Sequence, residues 1–214
     1  MNPRTFVLLL GLCCQLQGQG FVNLNFESAI LNPIVVSGVP YVQFSAAYPG
    51  WSGQQPAYLV LYNSLYIGSS GLAIIDSNYV NPPAIGHGVT AVLQGGVGSE
   101  IALFQTGLVP ADTMSLRFYA ASSRNTFAVS LNGNPLGVSI LQDFGIYKEY
   151  GVNIPPYAGQ IAELRFTQLQ GAQFGNLFLD DIVFSPIAVP EPGTWALFGL
   201  GSALFWCAAR RRRN

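Results

Sequence analysis

Cysteine is scarce and misplaced for any structural use. The chain has three, Cys13, Cys14 and Cys207, all in its two apolar ends. The stretch between them therefore has neither a disulfide nor a cysteine metal site. Histidine is scarcer still. His87, in Gly86-His87-Gly88, is the single one, which excludes a histidine-rich zinc site by count. Any Ser-His-Asp or Cys-His mechanism would have to run through it. No Gly-x-Ser-x-Gly elbow accompanies it, and Gly68-Ser-Ser-Gly71 has the wrong spacing. His87 reads as an ordinary loop histidine.

Charge is also sparse, at 9% of residues. Between Phe21 and Ala188 nine acidic residues face four basic ones. That balance argues against a nucleic-acid partner and against anionic polymers held by charge alone. The same 168 residues show no amphipathic helical period, no internal repeat and no interdomain linker, and they suffice for one well-buried domain. Gly95-Gly96-Val97-Gly98 follows no strand-to-helix pattern and reads as a hairpin loop, not a phosphate cradle.

Both ends of the chain carry addresses. Met1-Asn-Pro-Arg4, apolar Phe6–Cys14 and polar Gln15–Gly20 form the three parts of a secretory signal peptide over residues 1–20. Gly18 and Gly20 are the small residues that place cleavage after Gly20. Leu12 before Cys13, where a small residue is wanted, disfavours a lipoprotein. At the other end Thr194–Ala209 is uncharged and is followed by Arg210, Arg211, Arg212 and Arg213. As a helix it spans about 24 Å, at ~1.5 Å per residue, against a hydrocarbon core of ~30 Å. Trp195 and Trp206 suit the two interfaces, and the arginines act as a cytoplasmic membrane stop. Pro190-Glu191-Pro192 lies just ahead, held extended by its prolines. Residues 186–193 read as a tether, 194–209 as a transmembrane helix and 210–214 as a basic cytoplasmic tail.

The body, residues 21–185, reads as short period-two runs parted by Gly, Pro, Asn and Ser. Strands are expected at Tyr41–Ser45, Tyr58–Asn63, Leu72–Asp76, Val89–Gln94, Glu100–Thr106, Ser115–Ala121, Phe127–Leu131, Val138–Leu141, Tyr150–Ile154, Ala162–Gln168 and Leu177–Phe184. Leu116, Phe118 and Ala120 share one face, Arg117 and Tyr119 the other. Ala162, Leu164 and Phe166 oppose Glu163, Arg165 and Thr167. Asn132-Gly133 signals a type I′ hairpin. Strands without intervening helices make an all-β sandwich.

Two resemblances follow. Pro-Glu-Pro, apolar helix, arginine cluster and chain end together resemble the PEP-CTERM sorting signal of Gram-negative bacteria. That resemblance implies recognition and tail removal by the membrane transpeptidase exosortase, with transient anchoring in the inner membrane. It implies export to the envelope, surface or extracellular matrix. The body, with Asn23-Leu-Asn25-Phe26-Glu27, Gly50-Trp51, Val129-Ser-Leu-Asn132-Gly133 and closing Leu179-Asp180-Asp181-Ile182, resembles the galactose-binding-like jelly roll of bacterial carbohydrate-binding modules. There the first and last strands run side by side and often share a structural calcium ion. The resemblance therefore implies a calcium site at Glu27, Asp180 and Asp181, with stability as its role. Calcium takes several oxygen ligands; turn or edge-strand hydrogen bonds by the same acids are the open alternative. Strand parity pairs Asp180 with Phe178 and Ile182, and Asp181 with Leu179 and Val183, without selecting either as ligand.

Sugars stack on exposed aromatic faces. Tyr48 and Trp51, flanking Pro49-Gly50, are the expected ligand-binding pair, with Tyr147 and Tyr157 second. Asp76, Asp143, Asp180 and Asp181 supply carboxylates for a glycosidase, but no spacing selects a pair. The sequence thus describes an exported, exosortase-sorted protein of the envelope or exopolysaccharide matrix, non-catalytic, with a binding or structural role. The rival readings are a glycan-binding module with an aromatic site, and a glycoside hydrolase or lyase on the same jelly roll.

Overall fold

The computed structural model describes residues 19–54, 58–65, 70–80, 84–123, 127–171 and 173–190. The expected signal peptide up to residue 18, Glu191 and Pro192, the apolar stretch Thr194–Ala209 and Arg210–Arg213 lie outside the described residues. Among the described residues no helix is long and apolar enough to cross a membrane.

Alternating side chains build the strands β1 (Ile34–Val36), β2 (Val39–Gln43), β3 (Ser52–Gly53), β4 (Leu59–Tyr62), β5 (Gly71–Asp76), β6 (Val89–Gly95) and β7 (Ile101–Leu108). They continue with β8 (Ser115–Ser122), β9 (Phe127–Leu131), β10 (Asn134–Pro135), β11 (Ser139–Asp143), β12 (Lys148–Asn153), β13 (Ile161–Gln168) and β14 (Gly175–Ser185). Among the described residues, helical backbone is confined to one turn at Phe44–Ala47 and a 3-10 turn at Pro155–Tyr157. Each of the eleven expected strands is present. The three that the pattern does not announce, β1, β3 and β10, are two- or three-residue edge pieces.

The larger sheet has the order β1-β2-β4-β5-β6-β14-β8-β12-β11, the smaller β10-β9-β13-β7-β3. From β6 onward the chain crosses back and forth between the sheets, except within the β9-β10 and β11-β12 hairpins. The quartet β6-β14-β8-β12 faces β7-β13-β9-β10, which is the strand order of a jelly roll. All of these pairings are antiparallel; β4 with β5 is parallel. The Asn132-Gly133 turn has φ of 48° and 75°, positive at both central residues as a type I′ hairpin demands. Asn132 Oδ1 also accepts a hydrogen bond from the Glu163 amide at 2.8 Å, tying the turn to β13.

The core lies between the sheets. Leu116, Phe118 and Ala120 of β8 and Ala162, Leu164 and Phe166 of β13 are buried there as the alternation requires. Phe118 meets Phe166 edge-on at 5.1 Å and stacks on Tyr150 at 5.5 Å. Each such side chain contributes about 1.5–3 kcal/mol by leaving water.

A second apolar cluster covers part of the larger sheet's outer face, where Leu61, Ala73, Ile75, Val92 and Phe178 pack with Ile85. Half-buried Tyr41, Tyr79, Tyr119 and Tyr147 pack against this patch. Towards β8 and β12 the outer face is left open, and the candidate site lies there.

Candidate functional site

Two closing aspartates set up the site's rim. β14 runs beside β8 with Asp180 opposite Tyr119 and Val183 opposite Arg117, so that two residues of β14, Asp181 and Ile182, stand against the single Phe118 of β8. The extra residue is a β-bulge, and Asp181 takes it up at φ 48°. The bulge breaks the parity expected from the sequence. Leu179 and Ile182 both pack into the inner core, while Phe178 belongs to the outer cluster, so Asp180 does not share a face with Ile182. The Ile182 amide donates instead to Leu24 O at 3.0 Å. The start of the body and its last strand are thereby neighbours.

Glu27 comes with that opening segment. Its Oε1 accepts from the Val89 amide at 2.7 Å. Asp180 is fully buried, with Oδ2 accepting from the His87 amide at 3.1 Å and Oδ1 from the Asp181 amide at 2.7 Å. Asp181 Oδ1 lies 2.6 Å from His87 Nδ1. Gly86-His87-Gly88 threads between these carboxylates because its glycines have no side chains. A Cβ on Gly86, at φ 67°, would fall 2.5 Å from Asp180 Oδ2 and 2.6 Å from Asp181 Oδ2; one on Gly88 would stand 3.3 Å from Glu27 Oε2. Burial pushes the Asp180 carboxyl up to about 8, and Asp181 and Glu27 add to the rise against the two amide hydrogen bonds. Among the described residues no three His, Cys, Asp or Glu side chains form a ready metal cluster. Glu27, Asp180 and Asp181 border the one loop Gly86-His87-Gly88, and their oxygens are of the kind that a hard cation takes.

Tyr48 and Trp51 are not at the surface, contrary to their expected ligand role. Tyr48 is fully buried and Trp51 is 5% exposed. The Pro49-Gly50 turn that suggested exposure folds inward, with Gly50 at φ 83° and space for a Cβ closed by Val22 at 2.3 Å. Phe26 meets Tyr48 edge-on at 6.0 Å and Trp51 at 5.5 Å. Their polar groups are satisfied inside: Tyr48 OH donates to Ala73 O, and Trp51 Nε1 to Asn23 O at 3.0 Å. They hold the opening segment on the sandwich, and with it Glu27. Tyr157, in the 3-10 turn, is half-buried against the core.

The open part of the outer face is a cleft of about 300 Å³ lined by His87, Arg117, Tyr119, Glu149, Asp181 and Val183. Arg117 and Tyr119 arrive there by the parity of β8, and Glu149, opposite Tyr119 on β12, joins them. Arg117 Nη1 stands 3.6 Å from Glu149 Oε1. Tyr119 leads to an aromatic group on the β11–β12 turn. It lies 5.3 Å from Tyr147 and 5.8 Å from Phe144, which stack on each other at 4.8 Å. The turn is braced by Lys148 Nζ on Asp143 Oδ2 at 2.7 Å and by the Gly145 amide on Asp143 Oδ1 at 2.8 Å. Phe144 remains 39% exposed. Burial pushes the Tyr119 phenol up, with Glu149, Tyr147 and Asp181 adding to the shift, so the ring sits among the cleft's carboxylates. A second hollow of about 280 Å³ lies past Tyr147, and a third of about 510 Å³ lies beyond the Arg117–Glu149 pair.

Sequence reasoning singled out Tyr147 but missed Arg117, Tyr119, Phe144, Glu149 and His87. Parity did put Arg117 and Tyr119 on one face. What it lacked was the sheet order that sets β12 and β14 on either side of them.

Comparison with known proteins bears first on the tail: residues 188–213 match the PEP-CTERM protein-sorting motif. The motif marks the chain for export and sorting to the cell surface or envelope. Curated protein sequences give no match. Among solved structures the chain is similar to TmCBM61 in complex with β-1,4-galactotriose, at 13% identity and a TM-score of 0.44, over 77% of this chain and 96% of that one. It is similar to the family 11 carbohydrate-binding module from Clostridium thermocellum in complex with a β-1,3-1,4-mixed-linked tetrasaccharide, at 9% identity and a TM-score of 0.36, over 66% and 92%. It is also similar to the enzymatically active domain of bacteriophage CBA120 tailspike protein 4, at 18% identity and a TM-score of 0.38, over 63% of this chain but 19% of that one.

Proposed function

We propose that the sandwich is a non-catalytic glycan-binding module of an exported envelope or exopolysaccharide-matrix protein, with its ligand in the outer-face cleft. The observation that carries this reading is the Tyr119–Phe144–Tyr147 group bordering a cleft whose other side bears Arg117 and Glu149. Aromatic faces suit the apolar faces of sugar rings, and a guanidinium with carboxylates suits hydroxyls as donor and acceptor. The cleft's carboxylates already have partners, Asp181 with His87 and Glu149 with Arg117. That favours binding over hydrolysis, which needs an acid and a base free to trade protons. Exosortase is the processing partner, acting on Pro190-Glu191-Pro192 while 194–209 sits in the inner membrane. Glu27, Asp180 and Asp181 hold a calcium ion, whose charge offsets the carboxylates and ties the opening segment to β14.

The test is affinity electrophoresis and glycan-array binding of the body, carried through Val189 as residues 21–189, against neutral polysaccharides. Tyr147→Ala, on a turn outside the inner core, should weaken binding about tenfold or more. Equal binding by parent and Tyr147→Ala to every glycan retained, or retention of none, overturns the reading.

A further inference from the structure

The segment leading into the sorting motif is not a loose tether. Past the end of β14, Ser115 Oγ donates to Ile187 O at 2.6 Å, and the Ile187 amide donates to Ser185 Oγ at 3.1 Å. Two residues on, Asn153 uses both ends of its carboxamide on Val189: Nδ2 donates to Val189 O at 2.9 Å and Oδ1 accepts from Val189 N at 2.7 Å. Val189 is 8% exposed. It packs against β12 at Gly151, where a Cβ would approach Val189 Cγ2 to 2.9 Å. Pro190, the next residue and the first of Pro-Glu-Pro, is exposed.

Among the described residues Val189 is therefore the last one held to the fold, and the motif begins at the next residue. Only residues 190–193 separate the clamped Val189 from the apolar run that starts at Thr194. Fully extended, four residues reach about 14 Å at ~3.3–3.6 Å each. With 194–209 in the inner membrane, as proposed above, the sandwich would lie within that distance of it, next to the segment a membrane enzyme has to grip. The backbone just upstream is also spoken for. Val189 N and O and Ile187 O already have partners, so they offer nothing to an enzyme that binds its substrate as an extended strand. With Asn153 released, the stretch between the last anchored residue and Thr194 grows to residues 188–193, whose greatest reach is about 20 Å.

We propose that Asn153 is a latch on the sorting step: closed, it clamps the chain to the folded domain up to Val189, one residue ahead of Pro190-Glu191-Pro192, and its opening sets the rate at which the tail is removed. Asn153 is a positioning residue, acting through Val189 without touching the reacting bond. The proposal rests on the reading of 190–192 as an exosortase substrate.

Pulse-chase of the full chain in producing cells reads the rate of tail loss. Asn153→Ala should speed it about fivefold or more, the worth of two lost hydrogen bonds. A second variant leaves the fold untouched: four residues, Gly-Ser-Gly-Ser, inserted between Val189 and Pro190. It keeps the latch closed but doubles the number of residues between Val189 and Thr194, and should speed tail loss as well. Hydrogen exchange on the full chain in detergent reports the latch itself. The Val189 amide should be protected in the parent and in the spacer variant, and unprotected in Asn153→Ala. Unchanged or slower tail loss in both variants overturns the latch while leaving the sorting reading intact. If the parent keeps its tail and Glu191→Ala changes nothing, the sorting reading has failed and the latch falls with it.

Discussion

His87 Nδ1 stands 2.6 Å from Asp181 Oδ1, while the amide of the same histidine donates to Asp180 Oδ2 at 3.1 Å. One loop residue thus serves two neighbouring carboxylates, and the β-bulge at Asp181 lets them do so from a single strand. Asp181 lines the cleft and Asp180 is sealed beneath the loop. The calcium proposed at the junction would therefore brace one wall of the proposed glycan site.

Asp180 gives the metal-free domain a pH dependence of known sign. Its carboxyl is pushed from an ordinary 3.8 up to about 8 on folding. Between those values the folded state keeps a proton that the unfolded state has released, so stability falls as pH rises from about 4 to about 8 and is level above. Asp143, held below the usual range by Lys148, acts only below that window. So does Asp76, where hydrogen bonds from Tyr62, Asn63 and Asn78 outweigh the upward push of burial. In chelator the melting temperature should drop between pH 5 and pH 8, and Asp180→Asn should flatten the drop. Millimolar calcium should raise the melting temperature more at pH 8 than at pH 5, because the ion competes with the proton. Chelator melts that are level or rising with pH in the parent would show that Asp180 is ionised without help. Identical melts with calcium and chelator at both pH values, with no metal found by elemental analysis, would leave the three acids as hydrogen-bonding residues only.

Period-two alternation made the sandwich legible, because a half-buried strand must put its apolar side chains on one face. It carried Phe118 and Phe166 to the core and Arg117 and Tyr119 to the surface without error. It did not carry the bulge. Asp180-Asp181 looks like two steps of a regular strand, and only the pairing with Tyr119 and Arg117 reveals the extra residue. Nor does a Pro-Gly turn say on which side of the chain the core lies. Tyr48 and Trp51 looked exposed for that reason, although each ring carries a polar group that the interior satisfies at a nearby carbonyl. The cleft was the least legible part. Its residues come from β8, β12, β14 and the loop at His87, and only the sheet order brings them together.

The buried tryptophan yields a prediction on the calcium reading. Trp51 Nε1 holds Asn23 O, and the ring packs on Phe26, next in sequence to Glu27. Trp51→Phe keeps an aromatic ring but drops that hydrogen bond, costing about 1–2 kcal/mol and a few degrees of melting temperature. It should also shrink the stabilisation by calcium, since Glu27 rides on the segment that Trp51 fixes. Glycan retention per folded molecule should be unchanged. Loss of retention at temperatures where the variant is fully folded would return Trp51 to the ligand site.

The two ends of the chain make the last prediction. Read as a signal peptide and a membrane anchor, they predict export first and retention second. The mature protein should begin at Phe21, read by N-terminal sequencing of exported material. Residues 188–213 match the sorting motif, and within it Glu191 is the one charged side chain ahead of the apolar run. A carboxylate between two prolines has little backbone freedom and is a group that an enzyme's cationic pocket can distinguish. Glu191→Ala should therefore leave export intact but stop tail removal, so that the full-length chain accumulates in the inner-membrane fraction. Replacing Arg210–Arg213 with glutamines should act earlier, because without the cytoplasmic stop the apolar segment is less firmly retained and the unprocessed chain slips through. The two variants thus differ in where the uncut chain is found: membrane for the first, soluble exported fraction for the second. A Glu191→Ala chain that is cut and leaves the membrane like its parent would refute exosortase recognition at this motif.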